Sequence, residues 1–382
     1  MAVDAGSGHI NADVIGLIMA GGRSERMRAG FGNRHKSLVT ILGVTLLERN
    51  ICALLARGIR RVAVASNASE TDIQDYVQQR APRLAASVGG NVEHLKEEYH
   101  LGTIGAAGQL STYKRASILV ANVDNLTTLD WTEMLSYHRR KRAAMTVAAH
   151  RQPLRSDFGE LTVRDGRVVQ YHEKPVRHVL ISSGCYVLSS ATCRLIASGG
   201  RTDVPTVVNR LLHSGRVVAA FEHECPWIDV NDGRSVADAE RLVAQHFTDF
   251  ECWHPAPHDQ RVHLLVRRQE KVLAIAVGNK DPGDHWDFPQ CAVGEDLNRS
   301  ARKLCGKIGM RSAVPRLIGA YDDFDERTDL VVRRHIFLSR IEGGITDSLA
   351  DEYGWISFRE HAADPYMSSP MLRAINLLRS FE

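Results

Sequence analysis

The sequence predicts an α/β protein with a mostly parallel sheet in its larger N-terminal part and a smaller α+β domain after it. Residues 14–22, VIGLIMAGG, form a continuous apolar run ending in paired glycines, as a strand buried on both faces does when it enters a tight turn. Strand and helix patterns then alternate, which favours a parallel sheet, and this alternation ends before residue 260. A length of 382 residues fits two domains.

The first elements follow that strand in the expected order. A helix is predicted over residues 45–58, because apolar residues recur at helical spacing and a glycine follows them: Leu47, Ile51, Leu54, Leu55 and Gly58. Further apolar runs predict strands at residues 61–67, 117–124 and 144–150. These elements should place helices on both sides of one sheet.

The pattern changes in the later part of this domain. A hairpin is predicted around Asp165 and Gly166, and a closing amphipathic helix within residues 229–247. Residues 249–260 carry two prolines and no periodicity, so they are predicted to be a linker between domains at 14–248 and 261–382.

The second domain is predicted to begin with a hairpin. Its strands are residues 262–266 and 271–278, followed by a helix and by strands at 333–341 and 353–358. Short strands combined with one helix indicate a small α+β domain.

Composition excludes several classes of partner. The formal charge is +3, from 48 basic and 45 acidic residues without a basic stripe, so a nucleic-acid partner is not expected. No apolar run approaches ~20 residues, so a membrane partner is not expected either. Seven scattered cysteines without a CxxC pair indicate reduced thiols. Because the N-terminal residues also lack a signal-peptide pattern, we expect a cytoplasmic protein.

The glycine turn after the first strand is the first candidate site. Gly21 and Gly22 let backbone N–H groups approach a triphosphate at the carboxyl end of a strand, where open α/β sheets bind ligands. Arg26 and Lys36 would add fixed positive charge for the phosphates. By itself, this pattern is also typical of a plain tight turn.

Four more motifs follow this turn along the chain. They are EEYHLGTIGAA at 97–107, ANVDN at 121–125, HEKP at 172–175 and WIDVND at 227–232. In this order, the set resembles the sugar-1-phosphate nucleotidyltransferase family over residues 14–246. The resemblance implies a Rossmann-like (GT-A type) mixed, mostly parallel sheet with helices on both faces. It also implies transfer of a nucleotidyl group from a nucleoside triphosphate (NTP) to a sugar-1-phosphate or cyclitol-1-phosphate, with release of pyrophosphate.

The resemblance carries roles onto matching residues. The catalytic pair would be Arg26 and Lys36, and Mg²⁺ would be held by Asp124 and Asp229. The nucleotide would be bound by Ala20, Gly21, Gly22, Arg23, Ser24, Glu97, Glu98, Gly102 and Thr103. The sugar phosphate would be bound by Gly159, Glu173, Lys174 and Gly184.

The sequence departs from the family pattern at three positions. Ser24 replaces a glycine, His35 replaces a proline, and Val123 replaces a glycine. The last change leaves the strand register open, so Asn122 could share the role given to Asp124.

Each carboxylate also has a purely structural interpretation. Asp124 could cap a turn, and Glu173 with Lys174 could be a solvated surface pair. Asp229 could cap the closing helix, although Asp232 suits that position better. The basic run at 139–142 is expected to be a solvated helix face. The five motifs occurring together in order favour the site.

Residues 286–310, WDFPQCAVGEDLNRSARKLCGKIGM, resemble the Nudix hydrolase box without most of its acids. Glu295 alone is left, while Lys303, Gly306 and Lys307 occupy ligand positions. Because lysine repels a divalent metal, we expect a Nudix-like fold over 261–382 that no longer hydrolyses diphosphates. Such a domain could serve in packing or dimerisation, or could bind a nucleotide through its lysines.

The base is predicted from the acids before the second glycine turn. Glu97 and Glu98 accept hydrogen bonds only, and guanine alone offers adjacent N1 and N2 donors, which favours GTP. The sequence leaves open a hydrolase of nucleotide sugars, a non-catalytic sensor that binds them, and a cytidylyltransferase for phosphocholine or phosphonates. It also leaves a homodimer open.

Overall fold

The computed structural model describes residues 13–22, 35–198, 200–269, 271–277, 285–310, 314–325, 328–340, 353–357, 373–375 and 377–378. The chain forms two compact units. The first unit comprises Met1–Arg23, Arg61–Glu70 and His94–Asp229, and the second comprises Ser24–Arg60, Thr71–Glu93 and Val230–Glu382.

The elements before residue 230 alternate between strands and helices. The strands are β1 (Val14–Met19), β2 (Thr40–Ile41), β3 (Val44–Thr45), β4 (Arg61–Asn67), β5 (Asn91–Glu97), β6 (Ser117–Asn122), β7 (Asn125–Thr127), β8 (Met145–Arg155), β9 (Glu160–Arg164), β10 (Arg167–His172), β11 (Val176–Leu188), β12 (Val218–His223) and β13 (Trp227–Asp229). The α-helices are α1 (Leu46–Ala56), α2 (Thr71–Gln79), α3 (Ala81–Ala86), α4 (Trp131–Arg140), α5 (Ser190–Ala197) and α6 (Val204–His213), and 3₁₀ helices span Lys36–Leu38 and Gly105–Thr112.

A seven-stranded mixed sheet organises the first unit, in the order β12-β8-β11-β6-β1-β4-β5. Strand β1 runs parallel to β4 and β6, and β12 runs parallel to β8. Strand β11 is antiparallel to both β6 and β8. The predicted Rossmann-like, mostly parallel sheet is therefore confirmed, with β11 as its antiparallel member.

Helices cover both faces of this sheet. On one face, Leu17 and Val120 share an apolar core with Ile196 of α5 and Val207 of α6. On the other face, the ring of His138 on α4 hydrogen bonds to the Thr146 hydroxyl of β8 at 2.8 Å. Because β1 is buried along its whole length, it has no polar alternation, as the sequence predicts.

The predicted hairpin is formed by β9 and β10, which pair antiparallel. Its turn residues Asp165 and Gly166 have φ values of 49° and 74°. Two consecutive positive φ angles match the tight turns that fit the twist of a hairpin.

After residue 229, the part of the second unit that the structure describes contains its own sheet and several helices. The strands are β14 (Asp259–Arg268), β15 (Lys271–Val277), β16 (His285–Asp287), β17 (Gln290–Ala292), β18 (Arg316–Asp325), β19 (Leu330–Arg340) and β20 (Tyr353–Ser357), and the described helices are α7 (Gly233–Gln245), α8 (Phe247–Glu251) and α9 (Leu297–Lys307). The sheet order is β16-β15-β14-β19-β18, with β17 on β14 and β20 on β15. Apolar residues of α9, such as Leu304, pack with Leu264 and Phe337 of this sheet.

A buried ion network links distant segments of the second unit. Arg49 Nη2 lies 2.6 Å from Glu251 Oε1, and Arg373 pairs with Oε2 of the same carboxylate. The guanidinium of Arg373 also lies 4.3 Å from the centre of the Tyr321 ring. Burial by itself raises the pKa of Glu251, but the charges of Arg373 and Arg49 lower it below its usual range. The segment predicted to be a linker, 249–260, thus contains a buried acid that pairs with α1.

Among the described residues, no helix has both the length and the apolar character needed to cross a membrane.

Candidate functional site

The glycine turn and Asp124 lie at one edge of the first unit's sheet. Met19 and Asn122 are register partners in the parallel pair of β1 and β6. The Val123 N–H donates to the Met19 carbonyl at 3.1 Å, so both strands end together. The residues that follow them, Gly21 and Asp124, therefore share the carboxyl edge where open α/β sheets bind ligands.

Glu97 lies directly against that glycine turn. It is the last residue of β5 and is 1% exposed. A Cβ atom built on Gly21 would come within 3.0 Å of Glu97 Oε1 and 3.1 Å of Oε2, so glycine is the residue that permits this approach.

The carboxylate of Glu97 is only half satisfied. Its Oε2 accepts a hydrogen bond from the Leu101 N–H at 3.2 Å. Its Oε1 is buried and, among the described residues, has no hydrogen-bond partner. Burial raises the pKa of Glu97, and the Leu101 N–H opposes that rise. A buried acceptor without a partner carries a desolvation cost that a donor on a ligand would relieve.

The structure separates Glu98 from Glu97. The Glu98 side chain is 73% exposed, and its Oε1 lies 3.3 Å from Lys96 Nζ. This ion pair lies on the surface. Of the two adjacent acids, only Glu97 reaches the glycine turn.

Asp229 is brought to the same edge by a short strand pair. Strands β13 and β7 are antiparallel, and Asp229 is the register partner of Asn125, which follows Asp124 in the chain. The Trp227 indole N–H donates to the Ser183 carbonyl at 2.9 Å and ties β13 to β11. Two aspartates from distant parts of the sequence are thus held near one strand end.

Gly184 adjoins this cluster. It has a φ of 70°, and a Cβ atom there would lie 1.9 Å from Asn125 Nδ2 and 3.0 Å from Asn122 Nδ2. Any side chain at this position would displace both amides. Asn122, which the sequence left as a partner for the role of Asp124, therefore lies beside the predicted sugar-pocket glycine.

Gly102 and Thr103 are fixed to the start of α6. Gly102 has a φ of 89°, and a Cβ atom there would lie 2.4 Å from the Thr202 carbonyl oxygen. The Thr103 N–H donates to Asp203 Oδ1 at 2.8 Å, and the Thr103 hydroxyl accepts from the Val204 N–H at 3.0 Å. Sequence reasoning missed Asp203, although an acid before Val-Pro is a typical helix start.

Three of the four predicted sugar-phosphate residues, Gly159, Glu173 and Lys174, lie around the β9–β10 hairpin. The Tyr171 hydroxyl donates to Glu173 Oε2 at 2.6 Å, and this hydrogen bond raises the pKa of Tyr171. A Cβ atom on Gly159 would lie 2.3 Å from the same hydroxyl. Lys174 has a φ of 42°, an uncommon value outside glycine. Tyr171, which the sequence analysis missed, therefore connects two of the predicted residues.

Lys36 begins a 3₁₀ helix in the second unit, after a buried His35 whose Nδ1 is 2.8 Å from the Ser37 hydroxyl. Arg23, Ser24 and Arg26 lie outside the described residues.

Glu295, the single acid left in the Nudix-like box, lies on the surface. Its Oε2 is 2.8 Å from Arg299 Nη1, and its side chain is 85% exposed. Among the described residues, no group of three or more His, Cys, Asp or Glu side chains could hold a metal. The resemblance of this region to Nudix proteins stays a prediction.

Comparison with known proteins identifies a family for the first part of the chain. A family model described as nucleotidyl transferase matches residues 15–246. A glucose-1-phosphate adenylyltransferase of Nitrosospira multiformis is 28% identical over 204 residues, which cover 47% of this chain and 48% of that protein. A Sulfolobus acidocaldarius protein named "Putative mannose-1-phosphate guanyltransferase" is 23% identical, over 57% of this chain and 59% of that protein. The chain thus spans about half the length of these curated relatives.

Among solved structures, HddC from Yersinia pseudotuberculosis complexed with GMP-PN aligns with 20% identity and a TM-score of 0.44. The alignment covers 59% of this chain and 97% of that one.

Proposed function

The chain belongs to the nucleotidyl transferase family, and from this premise we propose that it transfers a nucleoside monophosphate from an NTP to a sugar-1-phosphate. The products are an NDP-sugar and pyrophosphate. The observation that supports this proposal most is the convergence of Gly21, Glu97, Asp124 and Asp229 at one edge of the sheet. A non-catalytic sensor would need the glycine turn and the base contact but not the pair of aspartates.

The reaction needs positioned charge more than covalent chemistry. An oxygen of the sugar-1-phosphate attacks the α-phosphorus of the NTP, a new P–O bond forms, and the bond to the β-phosphate breaks with release of pyrophosphate. Backbone N–H groups of the Gly21–Gly22 turn bind the triphosphate, since the two glycines carry no side chains of their own. Glu173 and Lys174 bind the sugar hydroxyls and the phosphate, and the Tyr171 hydroxyl orients Glu173.

Asp124 and Asp229 are the residues proposed to hold Mg²⁺. Their fit rests on two observations. Asp124 comes just after the end of β6, and Asp229 is the register partner of Asn125, the residue that follows Asp124. Carboxylate oxygens are also the ligands that this hard cation prefers. When bound, the ion compensates negative charge on the phosphates.

Guanine is the proposed base. A buried Glu97 Oε1 without a hydrogen-bond partner among the described residues supports this choice, because guanine N1–H or N2–H can donate to it. Adenine and cytosine place an acceptor beside their amino group, and uracil and thymine offer one donor between two carbonyls. The exposed position of Glu98 leaves Glu97 as the single proposed base-reading acid.

A pyrophosphate-release screen tests both parts of this proposal. GTP, ATP, CTP, UTP and dTTP are each assayed against a panel of sugar and cyclitol 1-phosphates with Mg²⁺. We expect release with at least one sugar-1-phosphate, and a kcat/KM for GTP above the others by a factor that corresponds to ~1 to 3 kcal/mol. Binding of an NDP-sugar without pyrophosphate release for any pair would favour the sensor. Release of a nucleoside monophosphate from an NDP-sugar, without pyrophosphate, would favour a hydrolase.

A further inference from the structure

Two buried polar atoms lie unpaired in the segment that borders the Gly21 turn. In the described part of the first unit, three buried side-chain atoms lack a hydrogen-bond partner: Glu97 Oε1, His100 Nδ1 and His150 Nδ1. The first two belong to one stretch of four residues, although native proteins pair nearly all of their buried polar groups. Two unpaired atoms in so short a stretch indicate a ligand that supplies both partners.

The His100 side chain lies close to the Glu97 carboxylate. Burial raises the pKa of Glu97, and the Leu101 N–H and the charge of His100 oppose this rise. The effect of one charge on another falls with distance, so the two side chains are near each other. They do not hydrogen bond to each other, since Oε1 and Nδ1 are both unpaired among the described residues. An acceptor and a nitrogen that can donate are thus neighbours without satisfying each other.

The backbone around His100 is held on both sides. Leu101, the next residue, donates its N–H to Glu97 Oε2 at 3.2 Å, and its carbonyl accepts from the Thr202 N–H at 2.7 Å. Tyr99, the preceding residue, is 63% exposed, so the buried atom of His100 lies on the inner side of this segment. The imidazole is therefore presented by a braced backbone, as a group that reads a ligand needs to be.

We propose that the His100 Nδ1–H donates to O6 of guanine, while Glu97 accepts from N1–H and N2–H. This role rests on the proposed function, in which guanine is the base. Guanine carries the acceptor O6 beside its N1–H donor, and a carboxylate, which only accepts, leaves O6 without a partner. The neutral tautomer with its proton on Nδ1 supplies the missing donor, and so does the imidazolium.

The same two residues reject adenine in this orientation. Adenine has an amino donor in place of O6 and an unprotonated N1 in place of N1–H. The His100 N–H would face a donor, and the Glu97 carboxylate would face an acceptor. Buried polar groups that a wrong ligand leaves unpaired give strong discrimination. His100 is thus a specificity-determining residue beside Glu97.

Isothermal titration calorimetry tests this role without depending on turnover. The ligands are GTP, ATP and 6-thio-GTP, in which sulfur, a weak acceptor, replaces O6. The wild-type chain should bind GTP about tenfold more tightly than 6-thio-GTP. In His100→Leu the Kd for GTP should rise about tenfold, to that of 6-thio-GTP, whereas the Kd for ATP should not rise.

Two further variants separate recognition from folding. His100→Asn keeps an N–H donor near the position of Nδ1, so it should keep most of the preference for GTP over 6-thio-GTP. His213→Leu replaces an exposed histidine on α6 and should leave all three Kd values unchanged. Equal weakening of all three ligands by His100→Leu would indicate a structural role and overturn the proposal. A wild type that binds GTP and 6-thio-GTP alike would overturn it too.

Pyrophosphate release judges the transfer reaction separately. The expected differences in Kd, without pyrophosphate release from any sugar-1-phosphate, would support the role of His100 and rule out the proposed transfer. Pyrophosphate release from GTP with the same kcat/KM in wild type and His100→Leu would support the transfer and overturn the role of His100.

Discussion

The carboxylate of Glu97 lies so close to Gly21 that a single added Cβ would come within 3.0 Å of its oxygen. The turn that is proposed to bind phosphates and the acid that is proposed to bind the base therefore share one small space. A change in either residue should alter both functions.

Replacement of Gly21 by alanine tests this closeness. The added methyl group must displace the Glu97 carboxylate or the turn, and a misplacement of about 1 Å in an active site can cost about a hundredfold in rate. We expect kcat/KM to fall on the order of 10- to 100-fold, with the fold retained. Gly306→Ala on α9 is the control, because nothing lies within 4 Å of a Cβ there. If Gly21→Ala has wild-type kinetics, this turn is not part of the active site.

Glu97→Gln should lower the preference for GTP while it raises the stability of the fold. A glutamine amide accepts hydrogen bonds from guanine less strongly than a carboxylate does. The ratio of kcat/KM for GTP to kcat/KM for ATP should therefore fall about tenfold or more. The neutral side chain carries no buried charge, so the unfolding temperature should rise by about 2 °C. Lower GTP preference together with a lower unfolding temperature would indicate a structural role instead.

The pH dependence of the reaction with GTP should follow the ionisation of the Glu97 carboxyl. Burial raises the pKa of this carboxyl above its ordinary value of 4.5, and guanine requires the ionised form. The kcat/KM for GTP should therefore fall as the pH drops through the raised pKa, at a pH above 4.5. The profile of Glu97→Gln should lack this step. A wild-type and a variant profile that coincide would contradict the assignment.

Asp229→Asn should remove most of the rate. Loss of one anionic ligand weakens the hold on Mg²⁺, with an effect on the order of a hundredfold by comparison with the loss of one oxyanion donor. Asp232→Asn is the matched control, because Asp232 caps α7 through the Ser235 N–H at 2.8 Å and asparagine caps equally well. Full turnover of Asp229→Asn at saturating Mg²⁺ would show that Asp229 is not a ligand.

The ion network of the second unit predicts a large stability effect. Glu251→Gln leaves two buried guanidinium groups without their counter-charge, which typically costs about 3 to 5 kcal/mol. Because the folded pKa of Glu251 lies below 4.5, its contribution is present above pH 4.5 and is lost as pH falls through that lowered pKa. Urea unfolding measures both effects. Glu222→Gln, which breaks an exposed pair with Arg151, should change stability by about 0 to 1 kcal/mol.

Local patterns in the sequence predicted the local structure well. The helix predicted over 45–58 is α1, Leu46–Ala56, and Gly58 adopts a φ of 77° where the helix ends. The turn at Asp165 and Gly166 follows from residue types that tolerate positive φ. In both cases, the determining residues are neighbours in the chain.

Contacts between distant residues could not be predicted in the same way. Glu97 and Glu98 are adjacent and of the same residue type, yet Glu97 is buried against Gly21 and Glu98 pairs with Lys96 at the surface. The sequence does not distinguish them, because the position of the chain in the sheet determines which of the two side chains points inward. Thr103 and Asp203 pair across a hundred positions. The buried role of Glu251 also needed the fold, since two prolines and no periodicity indicated a linker.

The pairing of Arg49 with Glu251 has a consequence for the timing of synthesis. At about 5–20 residues per second, the ribosome makes Arg373 roughly 15 to 60 s after Arg49. Until Glu251 is made, helix α1 lacks both the carboxylate and the second guanidinium of its ion network, and from then until residue 373 it lacks the guanidinium alone. A nascent chain stopped near residue 246 would contain the whole matched family region and still lack Glu251. Chaperones should therefore bind this chain longest before Arg373 is made.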